Sequence, residues 1–438
     1  MCSIAIARLV CHLRWLCLLL LLWGMVACAA PTPTSSPAAP APEAEPPITL
    51  VFWHAWPSPE QHVLGTLVER YNQSHSDTQI LLQAMPIANL TSELRTAALV
   101  GSGPHLVLLQ SHTLGTLAAE GLILPLDETL FTPAERASVL ATALQSAQVT
   151  LAEDEAVLYG VPLTFDTLAL YYQQSQFTPL PTTMTGLLQE ARALTDLNQQ
   201  PPHWGLALTL SLDKTIAYLP AFGGQIMDEQ GELVMVTTGQ AGTERWLEWQ
   251  LALRNDARIL AVSDSIAVDS AIRSQAAHMT IDWSHALPIY RALWGADLGV
   301  APLPPLEPDG AVPRPYVQSD VLSIGARVTD PREQQAALDF ARYLLSSEAQ
   351  QELLGAGQQP VLTSLALTDD LPDGAAAQVF RTQAQQGQAM PNQAVYNAIV
   401  YPELQRMQQS VLRGLTMPGD AVPQTDQIVR ERIETTRP

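Results

Sequence analysis

Lysine is nearly missing from this chain of 438 residues: Lys214 is the only one, and arginine carries the rest of the positive charge. Basic residues number 22 against 43 acidic ones, a formal net charge of −21. So few cations cannot track a phosphate backbone, which argues against nucleic acid as a partner. It argues equally against electrostatic docking on anionic lipid. We read the scarcity of lysine itself as genomic base composition. Cysteine is absent beyond residue 28, since Cys2, Cys11, Cys17 and Cys28 are the only four. That leaves the body without a disulfide framework, a cysteine metal site or a thiol nucleophile. Enzyme signatures are missing as well: no GxxxxGK[ST] loop, no HExxH, no GxSxG and no GxGxxG after a strand. The nine histidines include no i, i+4 pair of the kind that holds zinc on a helix.

What is present begins with Arg8 and Arg14 ahead of an apolar run over residues 15–27. The run has the length of a signal-peptide core and is short for a bilayer span. It ends Met25, Val26, Ala27, Cys28, which resembles a bacterial lipobox; in that class the cysteine becomes the lipidated first residue of the mature protein. Residues 29–47 are rich in Pro, Ala, Ser and Thr without apolar periodicity, the composition of an extended, solvated tether. About 410 residues follow the cysteine, enough for two domains or one bilobed unit, and 47% hydrophobic content supplies a core.

The body alternates. Residues 48–53 read as a buried strand, and Ser58, Pro59 and Glu60 as a helix start with Ser58 as cap. Strands are expected at 79–83 and 106–109, and helices at 90–100 and 113–120. This βαβ rhythm implies an α/β fold with parallel pairing, whose ligands bind beyond the carboxyl ends of the strands. Further helices are expected at 181–194, 212–222 and 243–253, with Trp246, Leu247, Trp249 and Leu253 on a core-facing stripe. Asp330, Pro331 and Glu333 mark the clearest helix start, with the glutamate in a capping box and Gly355 as the stop.

Several phrases, in order, resemble the bacterial extracellular solute-binding proteins of family 1, the group that includes maltose-binding protein. They are ITLVFWHAW (48–56), GPHLVLLQSHTLGTLAAEGLILPLD (103–127), YGVPLTFDTLALYY (159–172), FGGQ (222–225), MTIDW (279–283), LGVAP (298–302), DVLSIGA (320–326) and AMPN (389–392). The resemblance implies two α/β lobes, each discontinuous in sequence, joined by hinge strands, with the ligand in the cleft between them. The lobes are expected at 48–163 plus 320–370 and at 164–319 plus 371–438, with crossings near Leu163, Ser319 and Leu371. It further implies a carbohydrate ligand, ABC-type importer permeases as partners, and a monomer that meets the membrane only through lipid at Cys28. One departure matters. His105 stands where relatives commonly carry Asp, and His112 where many hold sugar hydroxyls with an acidic residue, so maltose specificity does not transfer.

Aromatic rings cover the flat faces of sugars, while amides, carboxylates and imidazoles pair with hydroxyls. At strand ends this selects Trp53, His54 and Trp56, then Gln110, Ser111 and His112. The resemblance adds Asp166, aligned with an acidic ligand position, and Asp282 with Trp283, on a strand that carries a ligand-facing Trp in relatives. Tyr316, Ser319 and Asp320 at the return hinge are weaker candidates. Tyr218, Tyr396 and Tyr401 are further possibilities for a far wall, although such residues are more often core. No cofactor is expected. His54, His105 and His112 could converge on zinc, or be unrelated polar residues. The competing functions are a non-sugar solute such as a glycerophosphodiester or polyamine, an anchored sugar hydrolase, and a surface sensor without transport.

Overall fold

The computed structural model describes residues 46–151, 155–228, 231–371 and 373–436. The leader, the proposed anchor Cys28 and nearly all of the tether lie outside the described residues. The principal strands are β1 (Ile48–His54), β2 (Thr78–Ala84), β3 (Leu106–Gln110), β4 (Val161–Asp166), β5 (Leu168–Gln173), β6 (Ala207–Thr209), β7 (Leu260–Val262), β8 (Met279–Trp283), β9 (Leu298–Ala301), β10 (Tyr316–Ile324), β11 (Gln359–Pro360) and β12 (Gln388–Ala389). The helices that matter below are α1 (Glu60–Ser74), α2 (Ile87–Leu99), α3 (Gln240–Asn255), α4 (Leu287–Trp294), α5 (Pro331–Leu344), α6 (Ser347–Gly355), α7 (Gly374–Gln386), α8 (Tyr401–Leu412) and α9 (Pro418–Thr436).

The first sheet runs β11-β4-β10-β3-β1-β2, with β12 beside β10. β1 pairs parallel with β2 and β3, as the βαβ rhythm predicts, while β10 is antiparallel to both β3 and β4. The second sheet is antiparallel, β8-β5-β9, and β6 pairs with β7 beside it. β5 shows why this sheet is covered on both faces. Its side chains alternate, so Leu168 and Leu170 enter the core built with α3 and α8, while Ala169 and Tyr171 point the other way. Tyr171 stacks on Tyr290 of α4, with ring centroids 4.3 Å apart, and lies 6.1 Å from Phe380 of α7.

The chain first moves from one sheet to the other through a very short joint. β4 ends at Asp166 and β5 begins at Leu168, so Thr167 alone separates the sheets. The expected crossing near Leu163 lies three residues early, because β4 keeps pairing with β10 through Asp166 and Gln318. The return comes between Ala301 and Gln318; Ser319 is already paired across the first sheet with Phe165. After Pro360 the chain passes into α7, which packs against Tyr171 of the second sheet, and then returns as β12 to pair with the start of β10.

Local signals explain the starts of α5 and α6. Asp330 caps α5 by accepting from the backbone N–H of Arg332 at 2.8 Å, with Pro331 at the first position. Glu333 does not complete a capping box; its carboxylate approaches His105 instead, at 3.9 Å. The single long helix expected up to Gly355 is two, since the Ser346 hydroxyl accepts from Ala349 N–H and starts α6 afresh. Ser58 does not cap α1, whose N-cap position is Pro59. The helix expected at 212–222 is one turn (Leu212–Thr215) followed by 3₁₀ turns. Close packing at Gly223 and Gly224 accounts for that end: the Gly242 Cα faces the Gly223 carbonyl carbon so closely that a Cβ would sit 2.1 Å away.

Phe340 of α5 is fully buried, with its ring centroid 5.8 Å from Phe52 of β1 and 5.0 Å from Tyr71 of α1. Phe340→Ala removes that contact between helix layer and sheet and should destabilise the protein by about 3–5 kcal/mol. A lowered urea midpoint with unchanged slope would show it; a midpoint within error of the parent would contradict this packing.

Candidate functional site

The register of the first sheet builds the site. Asp320 of β10 lies opposite Gln110 of β3 on one side and Thr164 of β4 on the other. Residues paired across adjacent strands share a face, so these three polar side chains form one row at the sheet's carboxyl end. Trp56, two residues beyond β1, closes the row: its Nε1 donates to Asp320 Oδ2 at 2.7 Å, and Thr164 Oγ1 donates to the same oxygen at 3.4 Å. Burial raises the Asp320 carboxyl to about 6, and nearby Asp166 adds to the rise, while the bonds from Trp56 and Thr164 pull against it.

From the second sheet come Ser284 and His285, just after β8. Asp166 Oδ1 accepts from Ser284 Oγ at 2.5 Å and from the His285 backbone N–H at 3.2 Å; Oδ2 lies 2.6 Å from His285 Nδ1. The bond to Asp166 raises His285 to about 9, against an opposing effect of burial, so the ring is a cation at neutral pH. Asp166 therefore ties the two sheets together one residue before the Thr167 joint. Thr167 reinforces the tie, its carbonyl accepting from Ser284 N–H at 2.8 Å.

Between these groups lies a cavity of about 330 Å³. Of the residues expected from sequence, Trp56, Gln110, Asp166 and Ser319 line it, together with the weaker candidate Asp320. Glu60, Thr164, Ser284, His285, Gln318 and the pair Gln358 and Gln359 line it unforeseen. Strand-end logic reaches Ser284 and His285, one and two residues past MTIDW, had it been carried past Trp283.

The other candidates sit elsewhere. Trp53 is buried in the sheet and donates Nε1 to Gln83 Oε1 at 3.0 Å. His54 is fully buried, and its Nδ1 accepts from the Trp56 backbone N–H at 3.2 Å, which fixes the loop carrying Trp56. Ser111 is also fully buried; its Oγ accepts from Ser319 N–H at 3.1 Å, bracing β10. His112 is half-buried and held below its ordinary pKa by burial, and its carbonyl accepts from Asn397 Nδ2 at 2.6 Å. Tyr316 pairs its hydroxyl with that of Tyr396 at 2.7 Å, beside a separate cavity of about 200 Å³. Tyr218 is core, its hydroxyl donating to Pro304 O; Tyr396 is buried and Tyr401 half-buried.

Asp282 and Trp283 belong to a second polar cluster. Asp282 Oδ1 meets Lys214 Nζ at 2.7 Å, and Oδ2 accepts from Tyr290 Oη at 2.7 Å. Trp283 is 9% exposed and donates Nε1 to Asp213 Oδ2 at 3.0 Å. These residues brace the Ser284–His285 turn from behind and do not line the 330 Å³ cavity. The three histidines do not converge: His105 Nδ1 accepts from Val51 N–H, and its Nε2 lies 3.0 Å from Arg327 Nη2. Among the described residues no group of three or more His, Cys, Asp or Glu side chains is placed to hold a metal ion.

The profile of a bacterial extracellular solute-binding protein family matches residues 66–420. The chain belongs to that family. It is 24% identical over 362 residues to a maltotriose-binding protein of Pyrococcus abyssi (strain GE5 / Orsay), covering 80% of this chain and 74% of that one. Its fold matches a cyclo/maltodextrin-binding protein solved with maltotetraose, at a TM-score of 0.75 and 20% identity, over 90% of this chain and 100% of the other. It also matches a maltose/maltodextrin-binding domain from Bdellovibrio bacteriovorus bound to maltotriose, at 0.70 and 21%, over 88% and 100%. The architecture of this solute-binding protein is thus the two-lobed α/β fold that the sequence phrases imply.

Asp320 yields a pH prediction. An unfolded aspartate gives up its proton near its ordinary 3.8, whereas the folded one keeps it to about 6. Between those values the folded state holds the extra proton, so this residue's contribution to stability falls as pH rises through the window. Asp320→Asn should flatten the melting temperature between about pH 4 and 6; an unchanged profile would remove Asp320 as the cause. His285 acts in the same sense at higher pH. Its bond to Asp166 is fully present below its ordinary 6.5 and is lost as pH rises through about 9. His285→Phe should abolish an alkaline fall in stability across that range.

Proposed function

We propose that this solute-binding protein captures a carbohydrate in the cleft between its sheets and hands it to the permeases of an ABC-type importer. The observation that carries the reading is the 330 Å³ cavity itself, at the carboxyl ends of β3 and β4, walled by amides and carboxylates of the first sheet and by Ser284 and His285 beyond β8 of the second. Polyhydroxylated ligands need many acceptors and donors at fixed angles, and a row set by strand register supplies them rigidly. The relatives named above support a sugar, since their names record maltotriose, maltotetraose and maltodextrins. Asp166 and His285 link the sheets beside the hinge, so ligand-driven closure would be felt there first. The protein acts as a monomeric receptor, not as an enzyme, held to the membrane by lipid on Cys28 and raised from it by the tether at 29–47. Trp56, Gln110, Asp320 and Thr164 would contact ligand from the first lobe, and Ser284 and His285 from the second.

The test is titration of the soluble body with mono- and oligosaccharides, maltotriose included, following tryptophan fluorescence and melting temperature. Glycerophosphodiesters and spermidine form parallel arms. A sugar at 100 times its dissociation constant should add about 2.7 kcal/mol of stability. Gln110→Ala should weaken that binding about tenfold, the loss of one well-placed hydrogen bond. Saturable response to spermidine or a phosphodiester with none to sugars would replace the carbohydrate. Release of cleaved glycan would replace the receptor with a hydrolase.

A further inference from the structure

The cavity is short of cations. Three carboxylates line it, from Glu60, Asp166 and Asp320, with no arginine or lysine, and His285 is the one cationic group on its wall. That histidine is spoken for by Asp166. Neither Glu60 nor Asp320 forms a salt bridge among the described residues. Lys214 is committed to Asp282 and does not line the space.

The acceptors are also in surplus. Glu60 Oε2 is buried without a hydrogen-bond partner. Gln359, only 1% exposed, lines the same cavity with its Oε1 likewise buried and unpartnered. A hydroxyl carries one donor hydrogen and two acceptor lone pairs, so a ligand made of hydroxyls alone brings more acceptors than donors. An ammonium brings three donors and no acceptor. Buried carboxylates without a counter-charge are costly to keep, and a ligand that supplies the charge recovers that cost on binding.

We infer that the ligand is an amine-bearing sugar, its ammonium received by Glu60, Asp320 and the Gln359 carbonyl oxygen. The inference rests on the carbohydrate reading above and narrows it to a cationic class. The elevated Asp320 carboxyl fits this picture, as a buried charge whose direct hydrogen bonds come from the neutral donors Trp56 and Thr164.

The experiment compares three trisaccharides on the intact wild-type protein at pH 7 and physiological salt: chitotriose with free amines, its N-acetylated counterpart, and maltotriose. The free-amine sugar should bind at least about tenfold tighter than the N-acetylated one, the gain expected from a charged hydrogen bond. Glu60→Gln and Asp320→Asn should each shrink that ratio, whatever they do to affinity overall. Equal or tighter binding of N-acetylated sugar or maltotriose overturns the amine and leaves the carbohydrate receptor intact. Absence of binding by all three, against a positive result with a non-sugar solute, overturns the carbohydrate reading and this inference with it.

Discussion

The whole arrangement depends on a joint one residue long. Because β4 and β5 are separated only by Thr167, the end of one sheet and the start of the next cannot drift apart. Asp166, last in the first sheet, is thereby held against the turn that follows β8 in the second. Everything at the cleft is referenced to that point: the polar row across β3, β10 and β4 on one side, the Ser284–His285 turn on the other. A longer linker would leave the same side chains present but unable to face one another reproducibly, and preorganisation is what such a site needs.

Supporting groups carry much of this order from inside the core. His54 and Ser111, both fully buried, act on backbone, the first fixing the N–H of Trp56 and the second that of Ser319. Asp213, Lys214 and Tyr290 hold Trp283 and Asp282 from behind. His54 Nδ1 and Ser111 Oγ each meet a defined backbone partner at this depth. Two acceptor atoms left unpaired, Glu60 Oε2 and Gln359 Oε1, belong to residues that line the cavity.

Fold was more legible than site. Strand ends, proline at helix starts and the periodic face of α5 are local properties, and β1, β3, α3 and α5 lie close to where pattern places them. The break between α5 and α6 escaped because Ser346 caps a helix inside what reads as continuous periodicity. For the site, proximity to a strand end pointed to Trp56 and Gln110 and the resemblance to Asp166, all three of which line the cavity, but neither could say which way a side chain points. Trp53, His54 and Ser111 lie at the same strand ends as Trp56 and Gln110 and turn inward, since pleating alternates faces and sequence alone does not fix the phase at a loop. Thr164 was invisible for a different reason: it matters only through its register opposite Asp320, a relation between segments more than 150 positions apart.

Lys214 has a consequence of another kind. It is the single lysine of the chain, 13% exposed, with its Nζ locked to Asp282 in the second lobe. A protease that cuts only after lysine therefore has one cleavage point in the entire protein, and the native fold shields it. Cutting there reports opening of the region around Lys214, local or global, so lysyl-specific digestion becomes a one-site clock for how often that lobe opens.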